Sequence, residues 1–354
     1  MKSVLRLLLK SQHQRNRSEP AQADKGMTLV ELLVGAIMAF LIITPMLAFV
    51  VDMLNTDRRE QVKSNTEQDI QAAVDFIAQD LSQAIYIYDQ VGIKALTNTT
   101  QLPPPPAKTT GTPILVFWKR QQIKNAVPVN ATTPKPSDCD PKAEPGKKGE
   151  CNDTYVLSLV AYYQIKDTPP NSTWCQPSGD PCPTRIARYE IRDGVRKPDP
   201  VAADNNLPYY NDSDTNPAQK PHPAFNKEFD FSKPTEKVTM GTNFKDPDFQ
   251  VLVNYIDYTK VPISSTDECQ KALGKPTDPK DPTKDIDNKT LTVTDGDTNS
   301  FYACVDTARN IARVTIRGNS LRRLQAKDAE FKTTSSAYFP TATVQVQGLG
   351  AVGK

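Results

Sequence analysis

Across residues 27–51 the only ionisable side chain is Glu31, in a run that is otherwise apolar. At about 1.5 Å per residue, a helix over this run crosses a hydrocarbon core of ~30 Å. Pro45 lies late in the run; it removes one backbone donor and is expected to kink or loosen the helix there. After a polar segment at 55–60 the pattern changes. Apolar residues recur at spacings of three and four: Ile70, Ala73, Val74, Ile77, Leu81, Ala84, Ile85 and Tyr88. Asp69, Asp75, Gln79 and Asp80 fall off that stripe. The spacing predicts one helix from about Thr28 to about Tyr88, apolar all round over 27–54 and amphipathic over 55–90. The stripe of the second half needs a surface to cover it.

Strand-like runs downstream supply that surface. They fall at 114–118, 155–165, 185–192, 249–258, 301–305, 311–316 and 342–347, with Asp193-Gly194 as a turn after the third. The predicted class is therefore α+β: a long N-terminal helix packed by its second half on an antiparallel sheet, with a β-rich head over 91–354. The intervening stretches 125–150, 168–184, 197–247 and 261–297 are polar and proline-rich. They read as surface loops, too polar to add core, and disorder-prone over 125–150, 197–247 and 261–297.

Composition agrees with so much loop. Proline occurs 30 times and the hydrophobic share is 38% in a chain of 354 residues. The net charge of +2 is unevenly placed. Residues 1–26 hold six Lys/Arg and two Asp/Glu, so everything after them is slightly acidic. A nucleic-acid partner is not expected from that balance. Six cysteines, all beyond the apolar run, suit disulfides in an exported region and allow 15 pairings. Cys139–Cys151 and Cys175–Cys182 would each close a short polar loop, which leaves Cys269–Cys304. Zinc is disfavoured, because no CxxC spacing occurs and His13 and His222 lie far from any ligand pattern.

The segment Lys25-Gly26-Met27-Thr28-Leu29-Val30-Glu31 joins four features in order: basic leader, glycine, apolar run, and glutamate five residues past the glycine. A conventional secretory signal would have a shorter core and a small-residue cut site after it. The segment resembles the class III signal of type IV prepilins and pseudopilins, with Met27 in place of the usual Phe. The resemblance implies a leader at 1–26, cleavage by a prepilin peptidase between Gly26 and Met27, and N-methylation of Met27. It also implies that Glu31 sets axial register by pairing with a subunit's N-terminal amine. The Lys/Arg of the leader place it in the cytoplasm and the head outside the inner membrane.

Further resemblance lies in Asp80-Leu81-Ser82-Gln83-Ala84, similar to an element of the larger minor pseudopilins of the J/W type. The stretches Ile85 to Tyr88, Pro113 to Lys119, Ser158 to Tyr163, Arg185 to Gly194 and Tyr338 to Ala342 are similar to cyanobacterial hormogonium polysaccharide secretion pseudopilins of the C type. What this implies is a minor subunit of a pilus-like or type II secretion-like machine that exports polysaccharide for gliding. Its partners would be membrane lipid, major and minor pseudopilins, an inner-membrane platform protein and, indirectly, an assembly ATPase. A minor type IV pilin for adhesion, twitching or DNA uptake is the alternative. A sugar-binding or enzymatic module borrowing a pilin signal is a third reading.

No enzyme, cofactor or metal is expected. A GxxxxGK phosphate loop is lacking, and only His222 follows the leader. The acidic run Asp285 to Asn299 lacks the closing acid of an EF-hand. Trp118, Tyr162, Tyr163, Tyr189, Tyr209 and Tyr210 have the chemistry to stack on polysaccharide, but strand aromatics are more often core.

Overall fold

The computed structural model describes residues 28–129, 139, 151–168, 172–196, 209, 220–234, 236–244, 249–263 and 266–350. The leader, with Gly26 and Met27, lies outside them, as do Tyr210 and much of the expected loops. The chain divides into two compact units at Arg58/Arg59.

Helix α1 runs over Leu29–Ser82 and contains Pro45 without ending there. Thr44 Oγ1 donates to the Phe40 carbonyl at 2.8 Å, one turn back along this stretch. In the first unit every described residue is exposed, including Leu32, Leu33, Ile37, Phe40, Ile43 and Phe49. In the second unit α1 buries Thr66, Ile70, Ala73, Val74, Ile77, Asp80 and Leu81, a stripe at helical spacing.

The helix stops earlier than its periodicity predicts. Ala84, Ile85 and Tyr88 are buried as expected, yet Ala84–Ile87 is strand β1, and a second helix, α2, covers Gln90–Asn98. Two β-branched residues and a tyrosine in Ile85-Tyr86-Ile87 favour the extended form. Asp89 then caps α2, accepting from the Gly92 N–H at 2.8 Å.

Strands β2 (Thr109–Pro128), β3 (Cys151–Asp167), β4 (Thr184–Arg192) and β5 (Gln250–Ile256) join β1 in an antiparallel sheet of order β1-β2-β3-β4-β5. The register of β2 with β3 shifts after Pro113, where the ladder lacks an N–H. Strands β8 (Thr292–Val293), β9 (Phe301–Asp306), β10 (Ile311–Arg317) and β11 (Thr341–Gln347) form a second sheet of order β11-β10-β9-β8. The sequence predicts one sheet; the described residues form two larger ones, touching through an Ile256–Gly318 bridge, and a separate two-stranded one. All seven strand-like runs are strands.

Three expected loops carry structure. Strand β2 extends through 125–128 of the first. The stretch 197–247 supplies Tyr209, Phe225, Phe229 and Val238 to the interior. The stretch 261–297 folds into α3 (Glu268–Ala272), the hairpin β6 (Thr277–Asp278) and β7 (Asp281–Asp285), α4 (Asn288–Leu291) and β8. Its low apolar content is offset by Cys269, Leu273 and Leu291, which cluster with Tyr302 and Cys304.

The five-stranded sheet is buried on both faces, so Ile114 to Lys119 form an unbroken buried run instead of alternating. Phe117, Lys119, Tyr162 and Arg188 share the face toward α1. Trp118 faces the other way, stacked on Phe229 at 4.5 Å and edge-on to Phe225 and Phe231 at 6.2 Å.

Candidate functional site

Two places carry chemistry that the apolar pattern does not demand, one in each unit. The first is the start of α1. The Thr28 N–H and Oγ1 both lie 3.0 Å from Glu31 Oε2, and the Glu31 N–H donates to Thr28 Oγ1 at 3.3 Å. This is a capping box: threonine and glutamate three apart satisfy each other's orphan donors. The T-x-x-E spacing of Thr28 and Glu31 carries this signal in the sequence, on the same glutamate to which the resemblance gives a register role. The carboxylate is exposed, in the first turn of a helix long and apolar enough to cross a membrane. Gly26 and Met27, the expected cleavage and methylation residues, lie outside the described residues.

The second place is Asp80, in the last turn of α1. It falls off the apolar stripe in the sequence, yet it is only 7% exposed. Successive strands of the first sheet converge on it. Lys119 of β2 donates to Oδ1 at 2.8 Å, while Tyr162 of β3 and Arg188 Nε of β4 each donate to Oδ2 at 2.7 Å. Glu190 of β4 accepts from Arg188 at 2.7 Å and lies 3.8 Å from Lys119. Two carboxylates thus meet two cations, and the charge closes on itself.

Burial pushes the Asp80 carboxyl up, but the charges and hydrogen bonds of Arg188 and Lys119 outweigh it and hold the carboxyl below its ordinary value. Burial, then the neighbouring Asp80 charge, pushes the Tyr162 phenol well above its usual range. Burial works against the Arg188 cation; Glu190 and Asp80 prevail and hold it charged. Every member of the group ties to another, so the arrangement clamps the end of α1 across three strands. Binary patterning could not reveal it, because a buried charge and a solvated one look alike in a polar/apolar string.

The remaining sequence candidates are placed as follows. The six cysteines pair as Cys139–Cys151, Cys175–Cys182 and Cys269–Cys304. Trp118, Tyr162, Tyr163, Tyr189 and Tyr209 are all buried, which leaves them no ring face for a sugar. In the acidic run, Asp295 is consumed by its own loop, accepting from the N–H groups of Asp297, Thr298 and Asn299. Among the described residues no group of three His, Cys, Asp or Glu is placed to hold a metal. Pro45 is exposed in mid-helix.

Comparison with family models, with curated proteins and with solved structures gave no match to this chain. The functional reading therefore rests on the residues themselves.

Proposed function

We propose that this chain is a minor pseudopilin: a non-enzymatic, single-pass subunit of a pilus-like or type II secretion-like assembly that exports polysaccharide for gliding. One observation carries the reading. A single helix, α1, is apolar and exposed in its first part and supplies core residues to the head in its last. A borrowed membrane anchor has no reason to be built into the fold it carries. The reading sets the leader in the cytoplasm and the head in the periplasm. Prepilin peptidase cuts after Gly26, Met27 is methylated, and Glu31 lies beside the new N-terminus. Neighbouring pseudopilins then take up the apolar part of α1, with the platform protein and assembly ATPase acting on the growing fibre.

Two substitutions in the full chain test this. Gly26→Ala should retain the leader, read as an unshifted mass of the membrane-extracted protein, and block export. Glu31→Gln separates register from capping, because glutamine keeps much of the capping geometry and loses the charge. It should be cut after Gly26 yet fail to enter fibres. Normal incorporation of Glu31→Gln would reduce Glu31 to a helix cap. Deletion of the gene should abolish released polysaccharide while surface pili persist; the converse would favour the alternative, a minor pilin for twitching, adhesion or DNA uptake.

A further inference from the structure

Arg322, in the short helix α5 (Leu321–Leu324), is fully buried, and among the described residues no carboxylate pairs with it. A buried cation without an acid is costly unless its donors are met. Carbonyls of one small ring meet Nε and Nη2, while Nη1 is buried without a hydrogen-bond partner. Arg322 Nε donates to the Pro181 carbonyl at 3.2 Å, and Nη2 to those of Pro177 at 2.7 Å and Gly179 at 3.2 Å. The same Nη2 lies 3.8 Å from Cys175 Sγ. Three alternate carbonyls, at 177, 179 and 181, therefore form a cup for one guanidinium. The cup is the loop closed by Cys175–Cys182, a sequence separation of seven.

The arginine side is fixed too. The Arg322 N–H donates to Asn319 Oδ1 at 2.9 Å, and Asn319 Nδ2 donates to the Ala329 carbonyl at 2.8 Å. The ring belongs to the β3–β4 connection of the first sheet; Arg322 belongs to the β10–β11 connection of the second. Cys175 and Cys182 are themselves at most 1% exposed.

We propose that the Cys175–Cys182 ring and Arg322 form a thiol-controlled latch between the two sheets of the head. With the disulfide closed, the carbonyls converge, Arg322 docks, and its docking shields the sulfurs. Reduction opens the ring, disperses the carbonyls and expels the cation, which frees the β10–β11 connection. In the reduction the S–S bond becomes two thiols; a dithiol such as dithiothreitol supplies the two electrons and two protons and closes to its own cyclic disulfide. The latch stands or falls independently of any role in fibre assembly.

The test uses the full chain in detergent micelles, with dithiothreitol as reductant, timed alkylation and mass spectrometry of each cysteine pair. In the wild type, Cys175–Cys182 should be reduced as slowly as the equally buried Cys269–Cys304. In Arg322→Met it should be reduced at least about tenfold faster, because the three charge-assisted hydrogen bonds no longer hold the ring closed, while Cys269–Cys304 keeps its rate. Arg322→Lys, whose ammonium still reaches carbonyls as a point charge, should fall between them. Unchanged rates in Arg322→Met overturn the latch. So does equal acceleration of both pairs, which would make Arg322 a global stabiliser. As the reciprocal check, Cys175→Ser with Cys182→Ser should raise amide exchange over the 318–340 connection. Unaltered exchange there would likewise overturn it.

Discussion

Asp80→Ala should destabilise the head by about 3–5 kcal/mol, enough to leave a large fraction of it unfolded under mild conditions. The loss is larger than that of an exposed ion pair because the truncation strands two buried cations, Lys119 and Arg188, and removes the acceptor of the Tyr162 hydroxyl. Denaturant unfolding of the full chain in detergent, followed by the fluorescence of the buried Trp118, measures it. A midpoint close to that of the wild type would mean that the clamp contributes little. The effect has a pH signature. The folded carboxyl titrates below its ordinary value. Its contribution is therefore complete above that value and is lost as pH falls through the lower, folded one. Asp80→Asn should flatten this acid limb. Asp257 works in the opposite sense. Burial raises its pKa despite the Arg317 guanidinium 2.9 Å away, so its ionisation weakens the fold as pH rises above 3.8.

Trp118→Ala should cost a similar ~3–5 kcal/mol, but with a different local outcome. Trp118 is wholly buried, stacks on Phe229, meets Phe225 and Phe231 edge-on, and donates from Nε1 to Tyr88 Oη at 3.0 Å. Tyr88 in turn donates to the Pro234 carbonyl. The indole thus anchors the aromatic side of the segment 220–244, which has little regular structure and is otherwise tied by hydrogen bonds of Val238 and Thr239 to Gln101 and of His222 to Arg192. Removing it should release that segment before the sheet melts. Limited proteolysis under native conditions should move the first cut into 220–244, and far-ultraviolet circular dichroism should stay near that of the wild type. First cuts elsewhere would show that the segment is held by other means.

The long helix and all seven strands were legible because each is a local pattern. A period of 3.6 or a β-rich run needs only a dozen residues to declare itself. The end of α1 was less legible, since Ala84, Ile85 and Tyr88 continue the helical stripe by coincidence while bending into β1. The clamp was not legible at all. Its donors lie 39, 82 and 108 residues from Asp80 in sequence. The aromatic layer over the first sheet was diluted: Phe225, Phe229 and Phe231 sit among Lys, Asp, Asn and Pro, and average composition over 197–247 hid them. The cysteine pairs were partly legible, as two close short loops and the third followed.

The position of Asp80 has a consequence for uniqueness as well as strength. An apolar stripe is a poor ruler. Sliding α1 by one turn, about 5.4 Å, would set small and aliphatic side chains against the same sheet with only modest loss of burial. A carboxylate that must meet a lysine, a tyrosine and an arginine on three different strands tolerates no such slide, because every slipped arrangement strands two cations in the interior. The charge therefore selects one alignment among several that hydrophobicity would accept. Asp80→Leu combined with apolar replacements of Lys119 and Arg188 should fold with near-native helix content but give multiple or broadened amide signals along α1. A single sharp set would show that the apolar stripe suffices. The clamp acts as the vernier of the head: it adds little length to the contact and decides which notch the helix occupies.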